Sequence, residues 1–154
     1  MKSISLWEPW ASLMACGAKR NETRSWPMRY RGDLVICAAK VKNPLPTELG
    51  FILLDFKEQL GLGGWVTGSG IYSKLPFGHA LCIVDVYDCV QADAYEDAQT
   101  STPENILENK LGDYSVGRFV WLTRNVRRFK TPFPFKGKQG FFDVPDELVE
   151  AALK

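Results

Sequence analysis

The chain has 154 residues, 45% of them hydrophobic and 24% charged, with a net charge of +1, as is typical of one globular domain, here residues 1–154. No apolar run approaches the roughly 18 residues of a membrane-spanning helix, so we expect no membrane partner. The first residues lack the apolar core of a secretory signal, and we therefore expect a cytoplasmic location.

The first half of the chain predicts short strands and two helices. Pro9 suits the first turn of a helix and Gly17 its C-terminal cap. A later stretch repeats apolar residues at the 3.6-residue period of a helix and is followed by Gly61. The predicted elements are a strand over 3–6, a helix over 10–16, an extended segment over 20–25, a buried strand over 34–39 and a helix over 46–60.

The second half begins with glycines at 61–64 and 68–70, which predict a mobile loop around Trp65. The elements predicted after it are a strand over 80–90, a short helix from 102 to about 112, strands over 119–122, 126–129 and 140–144, and a terminal helix from 145. Strands and helices do not alternate regularly, which disfavours a doubly wound parallel sheet. We predict an α+β fold: a small, mixed, mostly antiparallel β-barrel with two or three helices packed outside.

Charge is distributed unevenly along the chain. Residues 19–42 carry seven Lys or Arg and two acids, residues 85–113 carry eight acids and one lysine, and residues 114–142 carry seven bases and no acid. If the fold joins the two basic segments, the resulting positive surface suits phosphate. The alternative is that these side chains only solubilise exposed loops and strands.

No motif indicates a resident metal or a cofactor. The four cysteines lack a C-x-x-C pair and His79 is the single histidine, so we predict buried hydrophobic thiols rather than a zinc site or a disulfide framework. The chain has no P-loop and no G-x-G-x-x-G after a strand, which leaves nothing that points to ATP or NAD.

Lys19, Glu22 and Arg24 follow the predicted helix cap directly. Lysine and arginine both bind phosphate, and a carboxylate between them can orient them or hold a base edge or a water. A strict strand would place Lys19 and Glu22 on opposite faces, so they converge only if the cap turns the chain first. The alternative is an ordinary surface salt bridge.

Trp7 and Trp10 flank a proline near the start of the chain. They either pack in the core or form a wall on which a base stacks.

Two later segments suit phosphate contact. A glycine-bounded loop carries Tyr114 and Ser115, and Arg118 follows it, so this segment either contacts phosphate or is an ordinary entry to a strand. A stretch rich in proline and glycine presents Lys136 and Lys138, which either track a nucleic-acid backbone or belong to a loop that closes the barrel.

Several of these segments, in this order, resemble the ASCH family over nearly the whole chain. Residues 17–24, GAKRNETR, look like its signature G-x-K-x-x-E-x-R. The other matching segments are residues 4–11, 26–27, 30–32, 117–121 and 134–140. The resemblance implies a PUA-like β-barrel with a cleft beside the signature, proposed to bind RNA. On that analogy Lys19, Glu22 and Arg24 would line the cleft.

The resemblance makes a nucleic-acid-binding module, for RNA or a modified nucleotide, our first hypothesis. At least one family member is a metal-dependent ribonuclease, which would make Lys19 and Glu22 catalytic and would call for a divalent ion as the only cofactor. An N4-acetylcytidine amidohydrolase ranks lower, because Glu22 stands where that branch has a threonine and Thr23 is one residue off. The remaining alternative is a protein-interaction domain with an acidic partner.

Overall fold

One mixed sheet of six strands forms the centre of the molecule, which is a computed structural model describing residues 1–154. The strands are β1 Lys2–Leu6, β2 Glu22–Arg24, β3 Gly32–Ala38, β4 His79–Gln91, β5 Phe119–Pro134 and β6 Phe142–Asp143. They are ordered β2-β5-β4-β3-β1-β6, and the sheet curls into a half-barrel. Only the β1–β3 pair is parallel, so the predicted mixed, mostly antiparallel PUA-like fold is confirmed.

Five α-helices pack around the sheet, more than the two or three predicted. They are α1 Trp10–Ala15, α2 Thr47–Asp55, α3 Gly68–Ser73, α4 Pro103–Lys110 and α5 Asp146–Leu153. α1 covers one face of the sheet and α5 the other, while α2 and α3 pack on each other beyond α1. None of the five is both long and apolar enough to cross a bilayer.

The apolar run of β3 explains why the core lies on both faces of the sheet. Leu34 and Ile36 pack with α1, whereas Val35 and Cys37 pack with α5. Side chains alternate between the faces of a strand, so a strand covered on both sides needs apolar residues at every position. The predicted buried strand is therefore confirmed.

Residues 119–134 form one long strand, so the prediction of two separate strands over 119–122 and 126–129 was wrong. The pairing of β5 with β4 shifts register where Asn125 adopts a positive φ of 53°. Such a bulge breaks the alternation of side chains without ending the strand. From the sequence, the interruption of the pattern looked like the boundary between two strands.

Part of the predicted glycine loop is helical, because α3 begins within it. The hydroxyl of Thr67 accepts a hydrogen bond from the backbone N–H of Gly70 at 2.9 Å and caps the helix. A Cβ on Gly68 would lie 2.5 Å from the carbonyl oxygen of Gly50 in α2. The absence of a side chain at Gly68 therefore allows α2 and α3 to pack closely.

The helix α2 ends at Asp55, earlier than predicted.

All four cysteines are free thiols. Cys37 and Cys82 are buried in the core, and Cys16 and Cys89 are half-buried. Burial raises the pKa of Cys37 to about 11, which keeps this thiol neutral.

Candidate functional site

A cavity of about 440 Å³ opens beside the signature segment. Its walls come from the end of β1, the start of α1, β2 and the loop that follows α4. Six of the predicted site residues line it: Trp7, Trp10, Lys19, Glu22, Arg24 and Arg118. Two segments that are nearly a hundred residues apart in sequence thus contribute to one site, because β2 pairs with the start of β5.

The turn after α1 brings Lys19 and Glu22 to the same cavity. Gly17 adopts a φ of 86°, and the backbone N–H of Lys19 donates to the carbonyl of Leu13 at 3.0 Å. A left-handed glycine of this kind ends a helix and reverses the chain. β2 then begins at Glu22, so Lys19 lies outside the strand and is not bound by its alternation.

The turn is held by Glu108 of α4, a residue that the sequence analysis missed. Glu108 is 3% exposed, and its two carboxylate oxygens accept hydrogen bonds from the backbone N–H groups of Arg20 and Asn21, each at 2.8 Å. The hydroxyl of Tyr114 donates to the same carboxylate at 3.1 Å. In sequence, Glu108 reads as one of several acids on an amphipathic helix, and no local signal distinguishes it.

Lys19 is buried without a carboxylate partner. It is 1% exposed, and its Nζ donates to the carbonyl of Asn21 but forms no ion pair. A buried ammonium is costly unless a counter-charge or several hydrogen bonds compensate it. Because Lys19 lines the cavity, a further acceptor can approach its ammonium from that side.

Two arginines line the cavity, and the Nε of each makes no hydrogen bond. Arg24 donates from Nη2 to the carbonyl of Ser5 at 3.1 Å, while its Nε stays 3.6 Å from Oε1 of Glu22. Arg118 donates from Nη2 to the carbonyl of Thr23 at 3.0 Å, while its Nε lies 3.5 Å from Oδ2 of Asp113. Both Nε atoms and the hydroxyl of Ser5 are buried without a hydrogen-bond partner. Such unpaired buried groups are uncommon in native proteins.

The cavity is positive overall. Four cationic side chains line it against two carboxylates, those of Glu22 and Asp113. Oε1 of Glu22 accepts from the backbone N–H of Thr23 at 3.1 Å, and Oε2 has no partner. The hydroxyl of Thr23 is already an acceptor for the backbone N–H of Asp113 at 3.0 Å.

The two tryptophans have different surroundings. Trp10 is half-buried and packs on two core clusters, while Trp7 is 59% exposed at the cavity wall. Between them, the buried carboxylate of Glu8 accepts hydrogen bonds from the backbone N–H and hydroxyl of Ser12 and so caps α1. Core packing therefore describes Trp10, and an exposed aromatic face is available on Trp7.

The other predicted residues lie elsewhere. Tyr114 stacks on Tyr95 with ring centroids 5.9 Å apart, and the hydroxyl of Ser115 donates to Asp113 at 2.6 Å; neither Tyr114 nor Ser115 lines the cavity. Lys136 and Lys138 line a neighbouring groove. Their roles in binding stay predictions.

No group of three or more His, Cys, Asp or Glu side chains lies close enough together to hold a metal ion. A divalent ion for the ribonuclease alternative would find only the carboxylates of Glu22 and Asp113 in the cavity.

Comparison with known proteins assigns the chain to a family. The family model of the ASCH domain matches residues 4–133. Activating signal cointegrator 1 from Homo sapiens and from Mus musculus are each 30% identical over 151 residues, or 98% of this chain. The chain spans 23% of the length of these relatives.

The fold is shared with a solved structure, that of a mutant of the ZmASCH protein from Zymomonas mobilis. The TM-score is 0.54 at 13% identity, over 97% of this chain and 94% of that one.

Replacing Glu108 with glutamine should lower the free energy of unfolding by about 1–3 kcal/mol, because the amide nitrogen would face a backbone N–H that loses its acceptor. Urea denaturation measures this change. Glu104→Gln, at an exposed position of the same helix, is the control and should stay within about 0.5 kcal/mol of wild type. Equal effects of the two variants would contradict the anchoring role of Glu108.

Burial raises the pKa of Glu8 from 4.5 to about 7, so the folded state binds this proton more tightly than the unfolded state. Its contribution to stability is complete below pH 4.5 and is lost as the pH rises through 7, by roughly 3 kcal/mol. Glu8→Gln, which resembles the protonated form, should therefore gain stability relative to wild type over this range.

Thermal or urea unfolding of both proteins from acidic to mildly alkaline pH tests this expectation. The exposed substitution Glu147→Gln should leave the pH profile parallel to that of wild type. A constant difference between wild type and Glu8→Gln across the range would show that Glu8 does not titrate as argued.

Proposed function

The chain belongs to the ASCH domain family, and from that premise we propose that it binds nucleic acid, as an RNA- or modified-nucleotide-binding module, through the cavity beside the signature. One observation supports this above all others. The cavity is lined by a buried lysine without a carboxylate partner and by two guanidinium groups whose Nε atoms make no hydrogen bond, although they lie 3.6 Å from Glu22 and 3.5 Å from Asp113.

Phosphate matches these donors. Its oxygens can accept from the ammonium of Lys19 and from the guanidinium groups of Arg24 and Arg118, and its charge offsets the cost of burying the lysine. A neutral ligand would satisfy the hydrogen bonds but would leave the charge uncompensated. The class of ligand that suits the cavity is therefore anionic.

The remaining walls suit a base. Trp7 offers an exposed aromatic face, and stacking on such a face contributes about 1–3 kcal/mol per base. The free Oε2 of Glu22 would repel a phosphate but accepts from the N–H groups of a base edge. We therefore orient the phosphate towards Lys19 and the arginines, and the base towards Glu22.

The relatives leave room for a protein partner, since Activating signal cointegrator 1 is named as a cointegrator. Phosphate suits the cavity better than a flat protein surface does, because the ammonium of Lys19 is buried in the cavity wall.

A ribonuclease is the second candidate, because Lys19 and Glu22 share the cavity. Under the binding proposal, labelled single-stranded RNA incubated with the protein should stay intact with Mg²⁺ and with EDTA alike. Cleavage that Mg²⁺ supports and that Glu22→Gln abolishes would instead establish the nuclease. The amidohydrolase remains the weaker alternative, since the hydroxyl of Thr23 is engaged by Asp113.

Lys19→Met should lower affinity for a short single-stranded RNA at least about tenfold, because it removes the central phosphate ligand. It should not lower the free energy of unfolding, because it also removes an uncompensated buried charge. Fluorescence anisotropy and urea denaturation measure the two effects.

The control is Lys130→Met, an exposed lysine of β5 that lines neither the cavity nor the neighbouring groove. Its affinity should stay close to that of wild type. If Lys19→Met instead unfolds the protein, or binds RNA as well as the control, Lys19 is a structural residue and the proposal fails. Wild-type affinity should also fall steeply between about 50 and 200 mM salt.

A further inference from the structure

A groove of about 920 Å³ adjoins the cavity and shares Ser5, Trp7 and Arg24 with it. Its walls come from the segment after β3, from the start of β4 and from the loop between β5 and β6, residues 134–140. Because the two recesses share a wall, a ligand that leaves the cavity past Trp7 enters the groove directly.

The groove carries positive charge without any negative charge. Arg24, Lys40, Lys136 and Lys138 line it, and no Asp or Glu does. None of the three lysines forms an ion pair, although other basic residues of the chain do. Exposed, unpaired lysines along a recess are the arrangement by which proteins follow a phosphate backbone.

The loop that carries Lys136 and Lys138 is fixed against the junction of the two recesses. Gly137 packs on the hydroxyl of Ser5 so closely that a Cβ at this position would clash with it. Ser5 itself lines both recesses, and its hydroxyl has no partner. The position of the two lysines relative to the cavity is thus set by a backbone contact.

Aromatic side chains accompany these charges. Trp7 stands exposed at the junction, whereas the half-buried rings of Phe77 and Phe135 in the groove wall pack against core clusters. Lysines beside an exposed aromatic face suit a single strand, in which an unpaired base can stack while the phosphates contact lysines. An acidic peptide would use the cations but has no general need of the aromatic face.

We propose that the cavity and the groove form one track for a single-stranded polynucleotide. One nucleotide occupies the cavity, and its neighbours in the strand lie along the groove with their phosphates against Lys40, Lys136 and Lys138. The inference rests on the proposed function of the cavity and adds that the ligand is a polymer rather than a free nucleotide.

The test compares uridine 5′-monophosphate with an oligouridylate of about six nucleotides, measured by isothermal titration calorimetry or anisotropy over a range of salt. The oligomer should bind wild type at least about tenfold more tightly than the monomer, because it reaches additional cations. The double variant Lys136→Ala/Lys138→Ala should lose most of this gain and reduce the slope of log affinity against log salt by about one to two. Its affinity for the monomer should be unchanged.

The matched control is Lys74→Ala/Lys130→Ala, which removes the same charge from exposed positions outside both recesses. Equal affinity of wild type for monomer and oligomer, or equal effects of the two double variants, would overturn the track while leaving the cavity proposal standing. Failure of wild type to bind either probe would overturn the proposed function, and the track with it. An oligoglutamate that binds through Lys136 and Lys138, with oligouridylate binding indifferent to them, would assign the groove to an acidic protein segment and overturn the inference.

Discussion

The buried carboxylate of Glu108 holds the turn that carries Lys19 to the cavity. It accepts the backbone N–H groups of Arg20 and Asn21, which have no other acceptor once the chain has left α1. Two hydrogen bonds to a charged acceptor, made away from water, fix the backbone of a short segment more firmly than side-chain packing alone. The geometry of the signature therefore depends on a helix nearly ninety residues away.

Several polar groups beside this anchored turn are buried with few hydrogen-bond partners. Lys19 is buried with a single carbonyl partner, and the Nε atoms of Arg24 and Arg118 have none. Such groups lower the stability of the unliganded fold, and a bound anion would recover that cost. Under the proposed function, these same groups would give a phosphate ligand its affinity and favour a charged ligand over a neutral polar one.

The charge of a segment in the sequence does not show which of its basic residues are paired in the fold. Within the basic segment 114–142, Arg124 pairs with Asp85 at 2.8 Å and Arg127 pairs with Asp33 across the sheet, so two of the four basic residues of β5 are neutralised. The cations at the two ends of the segment, outside β5, reach the cavity and the groove. The interpretation that these cations bind phosphate therefore stays a prediction, and it concerns the residues that flank β5 rather than the strand itself.

The sequence determined what depends on neighbouring residues: the apolar run of β3, the glycine cap at Gly17, and the motif that places the chain in its family. It could not identify the role of Glu108 or the continuity of β5 across its bulge. Each of these depends on strand pairing or helix docking between segments far apart in sequence. A side chain's local pattern records its solvent exposure and backbone preference, whereas its partners are chosen by the packing of the whole chain.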